Sequence, residues 1–322
     1  MNSKLLTVII PAYNASKYIE ECLGSLKHFM GDELEIIVIN DGSSDNTATL
    51  VNSCIAKDSR IKLVSLPNSG VSQARNIGIE NAVGKYIMFL DADDYLLDKT
   101  FEEVNAIIQE DHYDFVAFAR DILEEDGKKW TQCFPFSDSK TDEKAVSDRI
   151  MYTTSLFNEC WGKLFRRDLV VSNNLRFPVG VPIGEDYMFV VSYYAISKKP
   201  LVINSSLVAY RQHGNSAMRK YTISDRLAFT QNLFECTYNS IPLELKKETD
   251  KYYFKVLTNL CREYSDRGYE DIKIIYNSVF CHNVINNLNI RDIPLYKKHE
   301  YLLIIFKMYR LSAFYYSLKK SL

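Results

Sequence analysis

Lys85-Tyr-Ile-Met-Phe-Leu-Asp-Ala-Asp-Asp-Tyr95 is the stretch from which the rest of the chain can be read. Tyr86 to Leu90 form a short run of mostly bulky apolar residues, the pattern of a strand buried on both faces, and the run stops abruptly at Asp91, Asp93 and Asp94. In an open α/β sheet the ligand lies beyond the carboxyl ends of the strands, so these acids are expected in a crevice. Hard oxygen donors there suit Mg²⁺ or Mn²⁺, particularly where a substrate phosphate completes the coordination shell. An acidic turn after a strand is the other reading of the same residues, since Asp favours turns.

Outward from that strand the pattern repeats. Leu6 to Ile10 predicts a first strand, ended by Pro11 ahead of a loop carrying Tyr13 and Asn14. Ala15 or Ser16 then caps a helix whose apolar positions Ile19, Cys22, Leu23 and Leu26 recur at helical spacing. Leu34 to Asn40 predicts a second buried strand, which delivers Asp41-Gly-Ser-Ser-Asp45. A helix over 46–57, a strand over 61–66, the turn Pro67-Asn-Ser-Gly70 and a helix over 71–83 lead back to the aspartates. After them come a helix over 99–110 and a strand over 113–119. Strands separated by helices of this length imply βαβ units, a parallel sheet and right-handed crossovers. Past Arg120 the rhythm is lost: Glu124-Glu-Asp-Gly127 reads as a hairpin turn before a short strand over 129–134. Helices over 142–152 and 185–196 and short strands over 201–203 and 207–210 follow. From 224 the pattern is helical, with Leu227, Leu233, Phe234, Leu257, Leu260, Ile274, Ile275 and Val279 as expected core positions.

Bulk properties narrow the function. The 322 residues can bury a sizeable core, as one large domain or two. A formal charge of -2 gives no basic field, which argues against a nucleic-acid partner. The 22 Tyr and 17 Phe residues suit carbohydrate handling, but Tyr is also a common residue at the edge of a core. Seven scattered cysteines without a CxxC pair or a zinc-like spacing predict reduced thiols and a cytoplasmic protein. The apolar run before Pro11 is too short for a signal-peptide core and reads as a strand. No stretch approaches the roughly 18 apolar residues of a membrane span, so the expectation is a soluble chain, at most peripheral on the inner face of the cell membrane.

The strand ends together carry a resemblance. Val8-Ile-Ile-Pro-Ala-Tyr-Asn14, Asp41-Gly-Ser-Ser-Asp45, Gly70-Val-Ser-Gln-Ala-Arg-Asn-Ile-Gly78 and Asp91-Ala-Asp-Asp94 resemble, in order and spacing, the family 2 glycosyltransferases of the capsule and surface-polysaccharide type. The resemblance covers roughly residues 5–220. It implies the GT-A fold, an α/β architecture with a mostly parallel sheet flanked by helices, here with an α-helical C-terminal region. The corresponding division is a catalytic domain over 1–222, with its nucleotide-sugar half over 1–120 and acceptor half over 121–222, followed by a helical region over 223–322.

The resemblance also implies roles for individual residues. Asp41 would contact the uracil of a UDP-sugar donor, with Pro11, Tyr13, Asn14 and Asn68 around the nucleotide; a turn or cap residue is the plainer reading of Asp41. Arg75 would support the nucleotide or the aspartate loop, or serve as a structural ion-pair partner. Asp91 would meet the ribose or the metal shell, and Asp93 would bind Mn²⁺ or Mg²⁺, which neutralises the departing diphosphate. Inversion requires a base opposite the leaving group, and Gly184-Glu-Asp-Tyr-Met-Phe189 resembles the family's Glu-Asp motif. Asp186 is then the base and Glu185 its neighbour; an acidic pair favoured by a helix N-terminus is the alternative. Trp161 borders the acceptor side, stacking on a sugar or filling the core. In Tyr210-Arg-Gln-His-Gly-Asn-Ser216, Arg211 is a diphosphate clamp and His213 a third metal ligand. The Gln-x-x-Arg-Trp motif of processive synthases is absent, which implies one hexose or N-acetylhexosamine per encounter, passed to a glycan or lipid-linked oligosaccharide acceptor.

From Lys297 onward six basic residues face only Glu300, interleaved with Tyr301, Phe306, Tyr309, Phe314, Tyr315 and Tyr316. Such a segment either lies on an anionic membrane or packs on its own domain or a second copy in a homo-oligomer. Two rival functions remain. A sugar nucleotidyltransferase would want a glycine-rich basic loop after strand one, which Pro11-Ala-Tyr-Asn14 lacks. A catalytically silent scaffold for another transferase would not need Asp93 and Asp186.

Overall fold

The computed structural model describes residues 4–27, 29, 31–98, 101–181, 183–212 and 222–320, with side chains through 318. The chain divides into two compact units, Met1–Ile150 with Leu156–Arg219, and Met151–Ser155 with Lys220–Leu322.

The first unit is built on one sheet. Strands β1 (Leu6–Ala12), β2 (Leu34–Asp41) and β3 (Ile61–Leu66) alternate with helices α1 (Ile19–Ser25), α2 (Thr47–Ile55) and α3 (Val71–Asn81). Then come β4 (Tyr86–Phe89), β5 (Tyr95–Leu96), α4 (Phe101–Glu110), β6 (Phe115–Leu123), β7 (Lys129–Gln132) and β8 (Lys140–Thr141). Helix α5 (Lys144–Thr153), strand β9 (Lys163–Arg166), α6 (Arg167–Ser172), α7 (Glu185–Ile196) and β10 (Pro200–Arg211) complete the series. The spatial order is β3-β2-β1-β4-β9-β6-β10-β5, with β7 on β6 and β8 on β10. β1 runs parallel to β2 and β4, and β10 parallel to β6. Every residue of β2 and β4 is buried, as the unbroken apolar runs predict for strands covered on both faces.

Three points need correction. Pro11 lies inside β1, opposite Ile39, rather than ending it. Ile9 accepts from Leu90 N–H, so by alternation Pro11 faces the β4 side, where the β4 pairing ends at Phe89 and no donor is needed. The segment Lys163–Arg166 is an antiparallel strand between β4 and β6, too short and too charged at its ends to show a strand period. The two short strands expected over 201–210 are one strand whose register shifts between Ile203 and Val208. That irregularity coincides with Asn204, whose side chain accepts from Phe134 N–H at 2.7 Å instead of continuing the pleat.

Helix α3 sits tightly on β1 because of Gly78: a Cβ there would lie 2.3 Å from Ile9 Cγ2. This close contact sets the height of Arg75, one turn earlier on the same helix.

The second unit is helical: α8 (Ile223–Ser240), α9 (Lys246–Tyr264), α10 (Tyr269–Tyr276), α11 (Val279–Asn287), α12 (Lys298–Ile305) and α13 (Tyr309–Lys320). Thr222 and Asp225 form a reciprocal capping box that starts α8. Leu227, Leu233, Phe234, Leu257, Leu260 and Ile275 are buried as expected, whereas Ile274 and Val279 are exposed. Ile274 lies off the Ile272–Ile275 face of its short helix, and Val279 is the first residue after the Ser278 cap. Among the described residues no helix is long and apolar enough to cross a membrane.

Candidate active site

Two loops at the carboxyl ends of β1 and β2 are stitched together first. Asn14, in the left-handed region at φ 49°, accepts from Ser44 N–H at 2.9 Å, while its own N–H donates to Ser43 Oγ at 3.0 Å. Asp45 accepts from Ser16 and Thr47 N–H, and these bonds outweigh burial to hold its carboxyl below the usual range. Asn14 is thus a loop-fastening residue, which leaves Tyr13 at 54% exposure beside it. Asp41 accepts from the N–H groups of Ser69 and Gly70 at 2.7 and 2.9 Å, at the start of α3. Gly42 at φ 72° lets the Asn68 backbone approach, since a Cβ there would stand 2.6 Å from Asn68 N. Asp41 and Asn68, both expected at the nucleotide, therefore belong to one loop junction.

The carboxylates meet at Arg75. Its guanidinium is buried and reaches Asp91 Oδ1 at 3.0 Å, Glu185 Oε1 at 3.2 Å and Asp186 Oδ1, so one cation from α3 joins the end of β4 to the first turn of α7. Glu185 and Asp186 do not cap their helix, whose N-cap is Gly184 at φ 90°. A cluster of buried aromatic rings holds these pieces in place. Phe89, two residues before Asp91, packs edge-on against Phe177 and Phe189, and Phe177 stacks on Phe189 with centroids 4.2 Å apart. Asn76, next to Arg75, exchanges two 2.8 Å hydrogen bonds with the Phe177 backbone.

The electrostatics follow from burial. Burial pushes the Asp186 carboxyl up to about 7, against the pull of Arg75 and with the push of Glu185. Its Oδ2 accepts from Cys160 N–H at 3.4 Å. Asp91 is raised by burial, which Arg75 opposes and Asp93 reinforces. Asp94 is pushed well above the carboxylate range by burial and by Asp91 and Asp93. Its Oδ1 accepts from Arg211 N–H at 2.8 Å, and its Oδ2 is buried without a hydrogen-bond partner. Asp94 therefore pins the aspartate loop to β10 through the Arg211 N–H. Asp94→Asn, which keeps the acceptor, is expected to unfold near the wild-type urea midpoint, whereas Asp94→Ala leaves the part-buried Arg211 N–H without this acceptor and costs about 1 kcal/mol. Equal losses in the two variants would mean that the bond from Arg211 N–H is not what holds the loop.

Two expected residues are engaged otherwise. Trp161 is 5% exposed, stacked on Tyr210 at 5.2 Å with the Arg120 guanidinium 4.9 Å from its ring. The indole fills the core here, the second of the two roles open to it. Arg211 pairs with Glu21 at 2.5 Å and packs over the rings of Tyr18 and Tyr95. His213 lies outside the described residues.

Among the described residues no three carboxylate, histidine or cysteine groups are set to enclose a cation. Asp93 and the second oxygen of Asp91 are nonetheless the donor set that Mg²⁺ or Mn²⁺ uses when substrate phosphates supply the remaining ligands. The donor chemistry fits a metal bound together with a diphosphate, rather than a metal in an all-protein cage.

Residues 7–171 match the family model "Glycosyl transferase family 2". This chain belongs to glycosyl transferase family 2. The family 2 chain is 28% identical to the uncharacterized glycosyltransferase EpsJ of Bacillus subtilis over 66% of its own length and 62% of EpsJ. It is 32% identical to the uncharacterized glycosyltransferase YibD of Escherichia coli over 68% of its length and 65% of YibD. It thus spans less than two thirds of these curated relatives. The crystal structure of Staphylococcus aureus TarS residues 1–349 with UDP-GlcNAc superposes at a TM-score of 0.77 and 23% identity, covering 98% of this chain and 92% of that one. The likeness is one of fold, and it covers both the GT-A sheet unit and the helical C-terminal region. In this family 2 member sequence reading missed Lys163, a buried ammonium that burial pulls down to about 8 and that donates to the Glu159 and Trp161 carbonyls. The only signal for it was a lysine inside an apolar run.

Proposed function

We propose that the chain transfers one hexose or N-acetylhexosamine from a UDP-sugar to a glycan or lipid-linked oligosaccharide acceptor, with inversion, in the building of a bacterial surface polysaccharide. The observation that carries the reading is the Arg75 junction, which sets Asp186, a carboxyl poised near neutrality, beside the strand-end acids of the donor side. A general base works best with a pKa close to the working pH. The acceptor hydroxyl oxygen attacks the anomeric carbon, its proton passes to Asp186, and the bond from that carbon to the diphosphate oxygen breaks to release UDP. Arg75 holds Asp186 in place, and Glu185 shares the guanidinium, which keeps the base from drifting toward the leaving group. Asp93 and Asp91 would hold Mg²⁺ or Mn²⁺, which would neutralise charge on the departing diphosphate. Tyr13 is the exposed ring available to the base of the nucleotide, and Asp41 keeps lone pairs free beyond its two backbone bonds. The UDP-GlcNAc bound in the TarS structure supports a UDP-sugar donor.

The test is UDP release from a panel of UDP-sugars with Mg²⁺ or Mn²⁺. One donor is expected to be turned over, and Asp93→Ala is expected to reduce turnover by about 10²–10³-fold. If calorimetry finds no UDP-sugar bound to the intact chain, the proposal fails and the silent-scaffold reading replaces it.

A further inference from the structure

We infer that α12 and α13 form a docking surface for an anionic lipid bilayer. The two helices belong to the helical unit and pack on each other through Tyr315, whose hydroxyl donates to Glu300 at 3.2 Å and contacts the His299 ring. Each helix buries one stripe: Tyr301, Leu303 and Ile304 on α12, and Ser312, Ala313 and Tyr316 on α13. Each also exposes an apolar stripe of its own. On α12 and its C-cap the exposed residues are Leu302, Ile305 and Phe306, the last 68% exposed; on α13 they are Leu311, Phe314 and Leu318, with Phe314 at 62%. The spacings, three to four residues apart on each helix, put each set on a single face. Met308, in the connection, is exposed as well.

Charge identifies the occupant. From Lys297 to the end the chain carries six basic residues and one acid, and that acid, Glu300, is buried. Among residues 297–318 the exposed apolar stripes therefore share their segment with Lys297, Lys298, Lys307 and Arg310 and with no surface carboxylate; Lys307 donates to Asn277 and Arg310 lies over the Tyr269 ring. A second copy docking on this surface by a two-fold axis would set these cations against themselves. An anionic bilayer accepts both features, apolar side chains at the acyl boundary and lysines among the headgroups. Since no described helix is long enough to span, the contact lies in the plane of the interface.

The experiment is co-sedimentation of the full chain with phosphatidylcholine vesicles and with vesicles containing roughly one third phosphatidylglycerol. Partition onto the anionic vesicles is expected to be at least about tenfold stronger and to fall away near 0.5 M salt. Phe306→Ser with Phe314→Ser is expected to weaken it at least about tenfold, because the apolar insertion is lost. Lys298→Glu with Lys307→Glu, which leaves the apolar stripes intact, is expected to abolish the preference for anionic lipid. None of these residues belongs to the Arg75 junction, and the readout is partition, so failure here leaves the proposed transfer reaction standing. Equal binding to both vesicles, no binding to either, or a dimer in sedimentation velocity that the Phe pair dissolves without any vesicle binding would overturn the inference.

Discussion

Asp186→Asn is expected to lower the rate of sugar transfer by about 10²–10⁴-fold, the usual contribution of a positioned base, while UDP-sugar affinity is retained. The amide keeps the shape of the side chain and its contact with Cys160 N–H, but it cannot take a proton. The pH profile separates this role from a structural one. Burial places the Asp186 carboxyl at about 7, so wild-type kcat is expected to rise as pH passes through neutrality and the base ionises. The residual activity of the Asn variant should lose that acidic limb. If the limb survives, another group is the base and Asp186 only shapes the junction. The same raised carboxyl has a stability consequence with a definite sign. The folded state holds a proton that the unfolded chain has already released above its ordinary carboxylate range. The contribution of this group is therefore fully present at low pH and is lost as pH rises toward 7.

The second large effect belongs to Arg75. Arg75→Met leaves Asp91, Glu185 and Asp186 sharing a largely dry site without their cation, and removing one partner from such a buried cluster costs about 3–5 kcal/mol. Part of that cost is repulsion between ionised carboxylates, so urea unfolding should show a larger loss at pH 7.5 than at pH 5, where the acids can neutralise themselves. Arg75→Lys keeps the charge but loses the planar fork that reaches acids on two separate elements, and it should fall between wild type and Met. A loss below about 1 kcal/mol, the same at both pH values, would mean that the carboxylates are solvated and that the junction is incidental.

Arg75 also marks the boundary of what the linear chain reveals. Its neighbours along the chain place it on a helix after Gly70, and motif spacing places it near the aspartates. Nothing local says that it binds Glu185 and Asp186, more than a hundred residues away. The pairing depends on Phe89, Phe177 and Phe189 packing together, which brings the start of α7 over the end of β4. Trp161 and Arg211 carry the same lesson. The stack of Trp161 on Tyr210 and the pairing of Arg211 with Glu21 both join segments far apart in the chain.

Local rules were reliable where one face or one period sufficed. The buried runs of β1, β2 and β4, the polar residues at their ends and the helices between them all follow from hydrophobic periodicity and turn chemistry, and those features made the family legible. β9 was lost because four residues bounded by Lys163 and Arg166 carry too little pattern, and only pairing with β4 and β6 makes them a strand. In the C-terminal unit sequence showed a basic, aromatic tail but not its surface, because which side of a short helix is covered depends on neighbours packed from elsewhere in the chain. The strands, their acidic ends and the charge of the tail are set by residues close together in the chain. It takes the closed fold to join one arginine to three carboxylates, to bury Trp161 in the core and to leave the apolar stripes along α12 and α13 exposed. Each of those depends on contacts between distant segments, whose free energy appears only when the fold closes.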